Sequence, residues 1–181
     1  MVKYFFTLLV LIFFIGCSKK SNDEKTAQKS GPQFHASLFT DAPKLIDKNG
    51  KYVKPDYIQS QKHVVLYFSA SWCGPCHRFN PIFIKWYNDN GGKKNFEVIL
   101  VGRDADAISN RLYMKDSDFP WVAFEMDGKK FNEIVKKYCG KGIPCVAVLD
   151  ENDNVVAHSY EGENYVGPMP PLEKLLEISK K

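Results

Sequence analysis

Two thiols three positions apart, Cys73 and Cys76 in the run Trp72-Cys73-Gly74-Pro75-Cys76, are the groups in this chain best placed to do chemistry. The thiolate is the reactive form of cysteine, and a free thiol with a pKa of about 8.5 is mostly protonated at neutral pH. Lowering that pKa takes a positive environment. The first turn of a helix supplies one, because its unpaired N–H groups and the helix dipole favour a negative charge. If Cys73 stands at a helix start, two intervening residues bring Cys76 within disulfide reach, and Pro75 suits a first turn where its missing N–H costs little. Metal sites use Cys-x-x-Cys as well, so the spacing alone leaves redox and metal chemistry open.

The chain has five cysteines, the others being Cys17, Cys139 and Cys145. A zinc site drawn from the last four is disfavoured because five residues separate Cys139 from Cys145, where structural sites use roughly two to four. Cys139 and Cys145 could pair as a disulfide if their Cα atoms come within ~7 Å. Otherwise Cys145 serves as a small buried hydrophobe. His77 follows the second thiol and could tune it, although a solvated position on a helix surface is the simpler reading, and Arg78 has the same status.

Reactive thiols need elements that hold them. Val64 to Phe68 is a continuous run of β-branched and aromatic residues, as in a strand buried on both faces. Pro75 to Asn90 follows as a helix, with Phe79, Ile82, Phe83, Trp86 and Tyr87 on one side and Gly91-Gly92 as its stop. Upstream, Asn49-Gly50 between Leu45-Ile46 and Tyr52-Val53 signals a hairpin, and Pro55 to Gln61 a short helix. Downstream, Phe96 to Val101 is a second buried strand. Asp104 to Met114 and Asp127 to Tyr138 are helical, Cys145 to Leu149 and Val155 to His158 are strands, and Pro171 to Ser179 is a closing helix. Trp121 and Phe124 belong to the core. This order predicts an α/β fold, a mixed central β-sheet with helices on both faces.

Trp-Cys-Gly-Pro-Cys after a buried strand resembles thioredoxin. Pro81, five residues after Cys76, matches the proline that kinks the active-site helix in that superfamily, and Ile143-Pro144 before a late strand matches its Ile-Pro step. The resemblance implies a thioredoxin fold and a cis Ile143–Pro144 bond. It also implies a loop that lies against the active cysteine and offers backbone groups to an extended substrate peptide. It further implies Cys73 as nucleophile, Cys76 as resolving thiol and Trp72 as a cover over the disulfide, with Gly74, Pro75, Ile143 and Pro144 in support. No metal or organic cofactor is called for. Val65 to Cys73, Asn95 to Val98 and Phe119 to Phe124 are similar to the tryparedoxin and nucleoredoxin branch, which usually has Pro-Pro where this chain has Gly74-Pro75. The Gly-Pro pair is more like that of reductants than of oxidants. Thioredoxin carries a buried aspartate six residues before its first active cysteine; Tyr67 stands there here, so proton transfer at Cys76 must use water or another group.

The first residues have a different character. Tyr4 to Ile15 is an apolar run after Lys3, the length of a signal-peptide core and short of the ~20 residues that span a bilayer. It ends at Phe14-Ile15-Gly16-Cys17, which resembles a bacterial lipoprotein cleavage box with Phe14 where leucine is usual. The expected organisation is therefore a leader over 1–16, a flexible tether over 17–33 that begins with lipidated Cys17, and a folded domain over 34–181. An exported cell-envelope protein can keep disulfides. The apolar share of 44% and charged share of 25% exclude global disorder. The net charge of +4 owes much to Lys19, Lys20, Lys25 and Lys29, which form no basic stripe for a nucleic acid.

The function expected from the sequence is exchange of disulfides in exported proteins, with protein thiols and an unidentified electron donor as partners and the membrane as anchor. A disulfide oxidase or isomerase is the alternative within the same chemistry. A tethered, non-catalytic peptide-binding module is the alternative outside it, and the presence of both Cys73 and Cys76 weighs against that.

Overall fold

The computed structural model describes residues 33–180; the expected leader, Cys17 and all but the last residue of the expected tether lie outside them. The described strands are β1 (Leu45–Ile46), β2 (Tyr52–Val53), β3 (Val64–Ser69), β4 (Glu97–Gly102), β5 (Val122–Phe124), β6 (Cys145–Leu149), β7 (Val155–His158), β8 (Tyr160–Glu161) and β9 (Asn164–Tyr165). The helices are α1 (Ala36–Phe39), α2 (Gly74–Asp89), α3 (Ala107–Asp116), α4 (Gly128–Tyr138) and α5 (Met169–Ile178). The main sheet runs β2-β1-β5-β4-β3-β6-β7, and β8 and β9 form a separate hairpin.

The three central strands β5, β4 and β3 are parallel to one another. Parallel neighbours need a crossover, which α2 makes from β3 to β4 and α3 from β4 to β5. The flanking strands β6 and β1 run antiparallel to β3 and β5, so the sheet is mixed as expected. Every residue of β3 is buried, and its side chains alternate between faces. Val65 and Tyr67 join Phe79, Phe83 and Tyr87 of α2 and Leu172 and Leu175 of α5. Val64, Leu66 and Phe68 join Leu38 of α1 and Phe131, Ile134 and Tyr138 of α4. A strand buried on both sides holds the loop that follows it in a fixed position.

Several expectations need correction. Ile82 was expected on the inner side of its helix but is 54% exposed. The buried stripe follows Cys76, Phe79, Phe83 and Tyr87, and Ile82 stands roughly a third of a turn from its centre. The helix expected over Pro55 to Gln61 is a 3₁₀ turn limited to Pro55–Tyr57. The third helix starts at Ala107 rather than Asp104, because Asp106 caps it by accepting from the Ser109 N–H at 2.8 Å. The short strand β5 and the hairpin β8–β9 were not anticipated as strands. Trp121 and Phe124 are core residues, 1% and 0% exposed. The Asn49-Gly50 hairpin is present, with Gly50 at φ 74°, a left-handed conformation that glycine adopts without steric cost.

A buried carboxyl at the start of β4 gives the fold a pH dependence. Glu97 Oε1 accepts from the Tyr87 hydroxyl at 2.7 Å and the Val98 N–H at 2.8 Å, and the Tyr57 hydroxyl beside it also favours the charged carboxylate. Burial outweighs these bonds and raises the carboxyl above its ordinary value of 4.5. The folded state therefore holds this proton more tightly than the unfolded chain does. The stabilisation is fully present below 4.5 and is lost as pH rises through the higher folded value. In urea titrations from about pH 4 to about pH 7, wild type is expected to lose stability with rising pH relative to Glu97→Gln, whose profile is flatter. Parallel profiles would remove Glu97 as the cause.

Candidate active site

The site lies at the carboxyl ends of β3 and β4, where open α/β sheets present a crevice to ligands. The strand β3 ends at Ser69, and Ala70, Ser71 and Trp72 lead into Cys73, the N-cap of α2. Cys73 and Cys76 are joined by a disulfide with a Cα separation of 5.2 Å. The Cys76 N–H, one of the first-turn donors with no partner inside the helix, points at Cys73 Sγ from 3.2 Å. A thiolate at Cys73 would receive that donor and the positive end of the α2 dipole together. Cys76 is 0% exposed and Cys73 3% exposed. Pro81 lies inside α2, where its missing N–H leaves the carbonyl of His77 without its helical partner.

The opposite wall comes from the start of β6. Strand pairing sets Cys145 against Phe68, which carries the loop before β6 to the disulfide. The Ile143–Pro144 bond is cis, as the resemblance implied, and the Ile143 carbonyl oxygen lies 3.7 Å from Cys73 Sγ. Ala70, Cys73, Cys76 and Ile143 pack as one small apolar cluster. The Pro144 carbonyl accepts from the Tyr165 hydroxyl at 2.8 Å, so the β8–β9 hairpin buttresses this loop.

Trp72 is 67% exposed, and its indole N–H donates to the Arg103 carbonyl at 3.2 Å. It borders a cleft of about 300 Å³ together with Arg103, Cys139, Gly140, Lys141, Gly142 and Ile143. His77 is exposed, yet its Nε2 lies 2.5 Å from the Ser71 carbonyl oxygen, so it donates there and braces the loop. Asp104, expected in a helix, instead accepts from the Ser71 N–H at 2.9 Å and the Ser71 hydroxyl at 2.6 Å. Asp104 and Arg103 follow Gly102 at the end of a buried strand parallel to β3. Residues just past the end of a buried strand stand at the crevice end of the sheet, and that is the one sequence signal for both.

Tyr67 occupies the place of the thioredoxin aspartate and is neutral. Burial above all holds its hydroxyl well above the ordinary tyrosine range. It donates to Asn80 Oδ1 at 2.8 Å, Asn80 donates to the Tyr113 hydroxyl at 2.9 Å, and Tyr113 lies 2.7 Å from the Ser69 hydroxyl. This chain of neutral groups ties β3, α2 and α3 together without burying a charge. Among the described residues no group of three or more His, Cys, Asp or Glu side chains converges as a metal site.

A sequence model of the thioredoxin-like family matches residues 61–155, more than half of the chain, and the matched span contains both site cysteines and Pro144. The chain belongs to the thioredoxin-like family. It is 30% identical to a tryparedoxin of Trypanosoma brucei brucei over 122 residues, which is 67% of this chain and 82% of that protein. It is 34% identical over 144 residues to a probable nucleoredoxin 1 of Arabidopsis thaliana, covering 75% of this chain but only 24% of that longer protein. Among solved structures, a thioredoxin from Wuchereria bancrofti superposes with a TM-score of 0.61 at 27% identity, over 76% of this chain and 96% of that one. The chain therefore has the thioredoxin fold expected from its sequence and the expected likeness to the tryparedoxin and nucleoredoxin branch.

Proposed function

We propose that this protein exchanges disulfides in exported proteins through Cys73 and Cys76, with reduction as its direction. One observation carries the reading: the Cys73–Cys76 disulfide caps a helix and faces the carbonyl of a cis-proline loop. In the reduced protein the Cys73 thiolate attacks one sulfur of a substrate disulfide. That S–S bond breaks and one substrate thiolate leaves. The Cys76 thiolate then attacks Cys73 Sγ, expelling the second substrate thiolate and closing the disulfide. Two electrons and two protons pass to the substrate, and a thiol donor returns the pair to its reduced form. Ile143 and Pro144 supply the wall along which an extended substrate segment lies, and Trp72 forms its exposed rim. Reduction of a generic protein disulfide in the presence of a dithiol donor tests the reading. Wild type is expected to turn over well above the donor alone. A rate equal to that of the donor alone would instead favour a non-catalytic peptide-binding module.

The same proposal places the domain outside the cytoplasm on a lipid anchor. The apolar run Tyr4 to Ile15, the box Phe14-Ile15-Gly16-Cys17 and the polar stretch behind it support this. Among the described residues no helix is long and apolar enough to cross a membrane. Acyl chains on Cys17 would supply the attachment. Mass spectrometry of the native N-terminus is expected to find Cys17 as a lipid-modified first residue. An unmodified Cys17, or an intact segment 1–16, would sink the anchor.

A further inference from the structure

Cys139 and Cys145 take no part in the chemistry above, yet they form a second built site. Cys139 is the C-cap of α4 and Cys145 the first residue of β6, so the short loop between them is the one that carries Ile143 and Pro144. Both are free thiols; Cys139 is half-buried and Cys145 fully buried. Cys139 opens onto the cleft it shares with Trp72 and Arg103, while the buried Cys145 does not line it. The Cys145 sulfur receives the Gly140 N–H from 3.4 Å and sits 3.6 Å from His158 Nε2. The tautomer of His158 follows from its other contacts. Nδ1 accepts from the Tyr160 N–H at 3.1 Å, so Nε2 carries the proton and also reaches the Tyr138 carbonyl at 3.0 Å. The loop has little freedom to be filled differently, since a Cβ on Gly140 would collide with the Tyr160 ring.

We propose that Cys139 and Cys145 are a second thiol–disulfide couple, in which Cys139 attacks the disulfide of a small anionic thiol entering the Trp72–Arg103 cleft and Cys145 resolves the adduct. The division of labour follows from access, which Cys139 has and Cys145 lacks. It agrees with the electrostatics. The Gly140 N–H that meets the Cys145 sulfur at 3.4 Å belongs to the residue directly after Cys139, which sets the two thiols side by side. With that placement the Cys145 thiol, opposed by burial and assisted by Arg103, lowers the Cys139 thiol, while Cys139 and burial raise Cys145. A cleft of about 300 Å³ admits a small molecule rather than a folded partner. Of its two cationic side chains Lys141 is paired with Glu163, and Arg103 lines the cleft together with Cys139. Both features select a compact disulfide bearing carboxylates.

The steps balance. The Cys139 thiolate attacks one sulfur of the small disulfide, that S–S bond breaks, and one small thiolate departs. Cys145 loses its proton and attacks Cys139 Sγ, releasing the second small thiolate. The protein ends with a Cys139–Cys145 disulfide, the small disulfide has gained two electrons, and the two thiol protons end on its two products.

Glutathione disulfide is the probe, used on the Cys73→Ser/Cys76→Ser protein so that the first couple cannot contribute. Trypsin cleaves after Lys141, between the two thiols, so closure of the pair leaves two peptides joined by a disulfide. The expected course is a glutathione adduct on Cys139 that appears first and then gives way to the joined peptides, with both thiols lost to alkylation together. Adding Cys145→Ser is expected to leave the adduct stable on Cys139. Persistent alkylation of both thiols, or an adduct that never closes when both cysteines are present, would overturn the proposal. The protein with both cysteines decides this whether or not the serine variant folds. The result is independent of turnover by Cys73 and Cys76, so the two readings can fail separately.

Discussion

Cys73→Ser is expected to abolish disulfide exchange and to capture no partner, whereas Cys76→Ser is expected to stall with a substrate covalently bound to Cys73. The difference arises from position on the helix. Cys73 is the N-cap, where the first-turn N–H of Cys76 and the dipole stabilise a thiolate, and it keeps a trace of solvent contact. Cys76 lies inside the first turn and is fully buried, so an incoming disulfide meets Cys73 first. Loss of the attacking thiol removes the reaction altogether. Loss of the resolving thiol removes only its second half and leaves the mixed disulfide with no internal exit. Non-reducing gels of both variants mixed with cell-envelope proteins separate these outcomes. Capture by Cys73→Ser and not by Cys76→Ser would reverse the two roles.

The largest expected effect on stability is at Phe83. It is fully buried on α2, with ring centroids 5.1 Å from Tyr67, 5.4 Å from Phe79 and 4.7 Å from Trp121. Truncation to alanine removes transfer free energy and leaves a cavity that rigid rings on three sides cannot close, a cost of about 3–5 kcal/mol. That is a large share of the ~5–15 kcal/mol by which ordinary domains are stable. Phe83→Ala is therefore expected to lower the denaturant midpoint sharply and to leave much of the protein unfolded in mild denaturant. A loss below about 1 kcal/mol would mean that the face between α2 and the sheet packs more loosely than these contacts imply.

What could be read in advance depended on how local the signal was. The strand Val64–Ser69 and the helix after Cys73 announce themselves, one by an unbroken apolar run and the other by its apolar period and a Gly-Gly stop. The Cys-Gly-Pro-Cys run and the Ile143-Pro144 step are likewise local patterns, and the fold brings them together. Strand β5 is three residues long and owes its conformation to pairing with β1 and β4, which no short window displays. Tyr160 to Tyr165 pairs over only two residues on each side and is held by the Tyr165 bond to the proline loop. Asp104 reads as helical in its own sequence window, and its position past a strand end does not reveal that Ser71, 33 positions away, occupies its oxygen. Whether Cys139 and Cys145 pair depends likewise on how α4 and β6 meet, and the structure has both as free thiols.

A redox titration asks whether Cys73 and Cys76 form one reversible two-electron couple. The protein is equilibrated across dithiol buffers, the free thiols are alkylated, and modification at Cys73 and Cys76 is followed peptide by peptide. The two thiols are predicted to appear together in a single transition, with a midpoint between about −270 and −120 mV and a tenfold change in ratio for every ~30 mV. Thiols that titrate independently of each other, or a pair that stays fully in one state across that range, would contradict it.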